Sequence, residues 1–302
     1  MRAMKRLFGV LGVLVVVAGI GFWARPVGYF DEAIYLRDYF SGVENRSVKV
    51  EGYRVHYLAE GPADGPVVVL VHGLGGSAED WRNLAPYLKE AGYRVYMPDL
   101  PGYGRSERPA DFSYSVHDEA EVVAGFLNAL GLGQVDLGGW SMGGWIVQEL
   151  AGEHPDRVRR LMLFDSAGIA EMPKWDTRLF TPTTHGELDQ LDALLMPNPP
   201  KVPGFVARDI LRISRDRTWV IHRALASMLT GQDATNNLLP TLKMPVLIVW
   251  GDQDHITPLS QGQTMHRLVP QSELEVFSGC GHLAAVQCSN RIGPKVVEFV
   301  KR

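Results

Sequence analysis

The chain has 302 residues, 46% of them apolar and 21% charged, with a formal net charge of -4 and a pI near 6.1. That length suits one large α/β unit carrying an insertion, and the apolar share excludes disorder on a large scale. The mild acidity points to no nucleic-acid partner, and the two cysteines, Cys280 and Cys288, make neither a disulfide framework nor a zinc site.

In chain order, Arg2, Lys5 and Arg6 precede an uncharged run from Leu7 to Ala24. As a helix this run spans about 27 Å, against about 30 Å for the hydrocarbon core of a bilayer. The reading is a membrane anchor over residues 1–26, a single span with the domain on the non-cytoplasmic side. Lys5, Arg6 and Arg25 would reach the interfaces. A signal peptide cleaved near Val16-Val17-Ala18 is the alternative, and it makes a secreted protein. Residues 27–47 read as a linker. Phe30, Ile34, Tyr35 and Tyr39 fall at roughly helical spacing, which predicts a helix over 28–42, at a membrane surface or packed on the domain.

From residue 48 strands alternate with helices. Ser47 to Tyr57 reads as a hairpin around Glu51-Gly52, and Pro66 to Val71 is an apolar run suited to a central parallel strand. Helices are predicted over 79–90, 115–130, 142–153 and 296–300, and strands over 93–97, 135–138, 160–164, 245–250 and 274–277. This order implies a mostly parallel sheet with helices on both faces. It breaks between about Gly168 and Leu239. Six prolines there, followed by a helical pattern from Phe205 to Leu229, predict an inserted helical lid.

Gly139-Trp140-Ser141-Met142-Gly143 lies between the strand VDLG and the helix MGGWIVQEL. A serine on so sharp a strand-to-helix turn projects its hydroxyl above the sheet, and glycines two residues either side relieve the crowding. Serine needs a base to act as a nucleophile. His282 follows the last predicted strand, at the carboxyl edge where catalytic groups gather. The acid belongs after the preceding strand, where Asp254 is preferred and Asp252 is read as a turn cap. Two backbone N–H groups must meet the oxyanion. Met142 supplies one, and Leu74 in His72-Gly73-Leu74-Gly75-Gly76 the other, with Gly73 permitting the backbone turn. Pro101 to Ser106 lacks phosphate-loop spacing and reads as structural. No cofactor and no metal are expected. The cysteines flanking His282 are expected as free thiols, with pairing in an oxidising compartment as the alternative.

Together HGLGG, DLPGYGRS, GWSMGG, WGDQD and GCGH resemble the α/β-hydrolase superfamily over roughly residues 48–302. Within it, the basic-plus-apolar N-terminus and the segment Pro197 to Leu229 are similar to membrane-anchored monoacylglycerol lipases. The resemblance implies Ser141, Asp254 and His282 as the triad and Leu74 and Met142 as oxyanion donors. Trp140, bulky beside the nucleophile, departs from the common pattern and would reshape the pocket. Serine at 141 separates the chain from the epoxide hydrolases and haloalkane dehalogenases, which use aspartate there. The expected function is hydrolysis of carboxylic esters, monoacylglycerols or similar small lipids, through an acyl-serine. Carbon–carbon hydrolysis of a ring-cleavage diketone and a non-catalytic ligand receptor are the alternatives.

Overall fold

β3 (Val67–Val71) is buried on both of its faces from Val68 onward, as a strand in the middle of a covered parallel sheet must be. In the computed structural model, which describes residue 19 and residues 21–302, it lies among eight strands. These are β1 (Glu44–Val50), β2 (Tyr53–Glu60), β3, β4 (Arg94–Pro98), β5 (Val135–Trp140), β6 (Val158–Phe164), β7 (Val246–Gly251) and β8 (Glu273–Phe277). Their order across the sheet is β1-β2-β4-β3-β5-β6-β7-β8. β2 runs antiparallel to both β1 and β4, and every other pairing is parallel.

Alternate residues of the inner strands enter separate cores. Val69, Val71, Leu137, Leu163 and Ile248 pack with α3 (Val116–Ala129), α4 (Met142–Glu153) and α7 (Leu259–Leu268). Val68, Leu70, Met162, Phe164 and Val249 face α2 (Ala85–Glu90) and α9 (Ser289–Val300). The chain leaves β3 for β4 on one side and later returns to β5 on the other. The carboxyl ends of β3 and β5 therefore flank a topological switch point, where a crevice opens.

The predicted helix over 79–90 is broken. A 3-10 turn at Ala78–Trp81 precedes the short α2, whose start is marked by Pro86. The last helix is longer than predicted, because Pro294 sits inside α9 instead of ending it. Between β6 and β7 lie α5 (His185–Leu195), started by a Thr184/Glu187 capping box, and α6 (Gly204–Met228). α6 buries Val220, Ile221 and Ala224 against the main core.

The expected membrane-anchored single span is overturned: among the described residues no helix is long and apolar enough to cross a membrane. Residues 1–18 and 20, most of the apolar run, lie outside the described residues. Its described end, Gly21–Ala24, stops at Arg25, because a residue before proline is pushed out of the helical region. The helix that follows, α1 (Pro26–Ser41), carries Asp31, Glu32, Arg37 and Asp38 and buries only Pro26 and Asp38. Its Val27 N–H donates to Asp209 of α6, and Asp38 pairs with Arg82.

Candidate active site

Ser141 joins β5 to α4 with φ 56° and ψ -119°, a strained backbone for a residue with a side chain. A Cβ on Gly139 would lie 2.2 Å from the Gly143 carbonyl oxygen, and one on Gly143 would lie 2.3 Å from the carbonyls of Val71 and His72. Only glycine at both positions lets strand and helix close this tightly. The turn is clamped from β6: Ser141 N–H donates to the Phe164 carbonyl at 3.0 Å, and the Ser141 carbonyl accepts from Ala167 at 3.0 Å.

The residues predicted to work together do meet. His282 Nε2 lies 2.8 Å from Ser141 Oγ, and Nδ1 lies 2.8 Å from Asp254 Oδ2. With Nδ1–H donated to the carboxylate, Nε2 is free to accept the serine hydroxyl. Asp254 also accepts the backbone N–H groups of Ile256 and Thr257 on Oδ1, and the Thr257 hydroxyl on Oδ2 at 2.7 Å. Asp252 instead accepts the Gly279 N–H, the turn-holding role predicted for it.

Two expectations are corrected here. Cys280 and Cys288 are not free thiols; they are bonded as a disulfide. A tight turn and the four-residue helix α8 (Ala284–Gln287) fold the intervening chain so that the two meet across the loop that bears His282. Gly73 does not supply the turn. The left-handed residue of that loop is Gly75, at φ +75°, whereas Gly73 leaves room for the Trp140 ring, which a Cβ would approach to 2.9 Å. Trp140 itself is buried. Its Nε1–H donates to the His282 carbonyl at 2.7 Å, so it braces the histidine loop as well as narrowing the site.

The switch point brings the loop after β3 beside the turn after β5, which is why Leu74 and Met142, distant in sequence, border the same serine. His72 holds that loop. One ring nitrogen bonds the Gly73 carbonyl at 2.8 Å, and the other accepts the Leu100 N–H at 3.0 Å. Burial lowers the pKa of His72, which favours this neutral ring. The Pro101–Ser106 loop is structural as predicted: Gly104 packs on the Asp99 carboxylate, which accepts from Arg105 N–H and Ala78 N–H.

Sequence reasoning passed over Asp165 and Thr257. Asp165 directly follows β6, and its Oδ1 accepts the Gly251 N–H at 2.7 Å. Burial pushes its carboxyl well above the usual range, and the neighbouring charge of Asp254 adds to this. An acidic residue at the carboxyl end of a parallel strand was the available signal.

Two cavities meet at Ser141. The first, about 290 Å³, is lined by Leu74, Trp145, Ile169, Phe180, Leu225 and Ile256 among others, and Glu171 is its one charged residue. The second, about 270 Å³, lies on the His282 side, beneath Trp140, Gly76, Leu191 and α6. It contains Arg217 and Asp80. Burial pushes Asp80 up to about 6, against the hydrogen bond it accepts from Ser77.

A strained serine at a strand-to-helix turn, joined through a histidine to a carboxylate at the edge of this sheet, defines a class. The α/β-hydrolase fold family matches residues 66–219 and 229–287, and the chain belongs to it. Within that family it is similar to the 2-hydroxymuconate semialdehyde hydrolase of Pseudomonas sp. (strain CF600), 30% identical over 77% of this chain and 86% of that protein. It is also similar to Lipase 1 of Psychrobacter immobilis, 27% identical over 82% of this chain and 81% of that one. Among solved structures it resembles a membrane phospholipase A described as a bacterial virulence factor. That match is 27% identical with a TM-score of 0.84, covering 99% of this chain and 98% of the other.

Proposed function

We propose that this hydrolase cleaves carboxylic esters of lipids, monoacylglycerols or close kin, through an acyl-enzyme on Ser141. The observation that carries the reading is the relay of two 2.8 Å contacts, Ser141 to His282 to Asp254, set between two largely apolar cavities.

In this mechanism His282 takes the serine proton as Oγ attacks the ester carbonyl. The N–H groups of Leu74 and Met142 stabilise the oxyanion, and the positive end of α4 adds to them. The imidazolium, steadied by Asp254, returns the proton to the departing alcohol. Water activated by the same histidine then frees the acid. α5 and α6 act as the lid: Leu188, Leu191, Leu195, Ile210 and Ile213 wall the second cavity and exclude water from the intermediate.

Support comes from the lipase and the phospholipase A among the relatives. The 2-hydroxymuconate semialdehyde hydrolase supports the second reading, attack on a carbon–carbon bond by the same groups. Assaying a monoacylglycerol beside a dienoate ring-cleavage product separates the two. Turnover of the ester by wild type, with a loss of about 10⁴-fold or more in Ser141→Ala, is expected. Near wild-type turnover in that variant refutes the nucleophile, and failure of a fluorophosphonate to label Ser141 favours a ligand receptor.

A further inference from the structure

The two cavities at Ser141 are both largely apolar but differ in charge, with Glu171 in the first and Arg217 and Asp80 in the second, and the position of His282 says which half of an ester each receives. The imidazolium that forms during attack must hand its proton to the leaving oxygen. The alcohol half therefore lies on the side of His282, which lines the second cavity and not the first. The acyl half falls to the first cavity, whose walls are mostly apolar and, among the described residues, carry no cation.

α6 presents Ile210, Ile213, Ser214, Arg217 and Ile221 to the second cavity, at the spacing of one helix face. An arginine interrupts that stripe where another aliphatic residue would pack with less cost. Arg217 is half-buried, and among the described residues no carboxylate lies within 4.0 Å of it and no hydrogen bond satisfies it. Burial lowers its pKa, and the nearby Arg108 does so further. Asp31, Asp99 and Asp216 oppose this from longer range, raising it. A desolvated guanidinium without a partner is costly, and an arriving anion offsets that cost. Its planar fork matches two oxygens of a phosphate. Asp80, the carboxyl that lines this cavity, is engaged by the Ser77 N–H.

We propose that Arg217 binds a phosphate carried by the alcohol half of the substrate, so that the enzyme prefers acyl esters of glycerophosphate-type alcohols to neutral glycerides. This rests on the ester-hydrolase reading above and names its substrate class.

The test compares kcat/KM for a 1-acyl-glycerol-3-phosphate and for the monoacylglycerol of the same acyl chain. In wild type the ratio should favour the phosphate ester about tenfold or more, and Arg217→Gln should cut that ratio by about tenfold. Arg217→Lys should retain part of it. Fluorophosphonate labelling of Ser141 reports that each variant is folded. As an independent readout on wild type, glycerol 3-phosphate should inhibit hydrolysis of a p-nitrophenyl ester at least tenfold more strongly than glycerol. Inorganic phosphate acting as strongly as glycerol 3-phosphate would assign the site to free phosphate and overturn the substrate claim. A wild-type ratio near one, or a ratio unchanged in Arg217→Gln, sinks the inference alone. Hydrolysis of neither ester sinks the ester-hydrolase reading, and the inference with it.

Discussion

Asp165 and Asp254 share one buried corner but make different bonds. Asp254 accepts from two backbone N–H groups, a hydroxyl and the imidazole, a set of donors that a carboxylate satisfies fully. Asp165 has one oxygen on the Gly251 N–H, while its Oδ2 is buried without a partner. Burial beside Asp254 keeps Asp165 protonated well above the usual carboxylate range. A protonated acid and an amide have nearly the same shape. Asp165→Asn should therefore keep ester turnover within about tenfold of wild type, whereas Asp254→Asn, which imposes the wrong imidazole tautomer, should lose about 10⁴-fold in kcat. Equal losses in steady-state assays would show that the two carboxyls had been given the wrong roles. Asp254 was readable from its place after a buried strand. Asp165 offered only the sign of an acidic residue after a parallel strand; nothing along the chain says that the ends of β6 and β7 press two carboxyls together.

At the scale of elements, the turn at Ser141 is the most local feature of the site and was the most legible. Its glycines, strand and helix are contiguous, although the close contact that requires Gly143 is with the Val71 and His72 carbonyls, which only the fold brings there. The histidine loop is the opposite case. Cys280 and Cys288 are eight residues apart, and whether they meet depends on the path of α8 between them. Closing a loop of this size stabilises the folded state by about 2.5 kcal/mol in the chain-entropy treatment. Reduction with dithiothreitol should lower the urea midpoint accordingly and loosen the His282 loop, with a fall in esterase rate. An unchanged midpoint after full reduction would argue against that contribution. The N-terminal run carries the expectation of a membrane span, but among the described residues no helix is long and apolar enough to cross a membrane. Pro26 and the charges of α1 place a break and a polar helix directly after that run.

For the whole molecule, the sheet order decides what can be neighbours. The reversal between β3 and β5 sets Leu74 beside Ser141, and the segment between β6 and β7 brings α6 against the same opening. If the acyl chain enters the first cavity as proposed, that cavity limits its length. With esters of increasing chain length, kcat/KM should rise by up to about fourfold per methylene, the worth of burying one CH₂, until the cavity of about 290 Å³ is filled, and then level or fall. A flat profile from the shortest ester onward would mean that the chain does not enter it.

Sequence alone determined the class of fold and pointed to the serine, histidine and acid that the structure brings together, and to the two loops that border them. Each of these is written in a short stretch whose backbone chemistry is local and whose order along the chain matches the order of strands. Only the tertiary structure decided the pairing of the cysteines, the company kept by Asp165, the room that Gly73 leaves for Trp140, and the exposure of Arg217 to the second cavity. Those depend on separations through space between segments far apart along the chain, set by how helices and strands pack, and no local pattern encodes them.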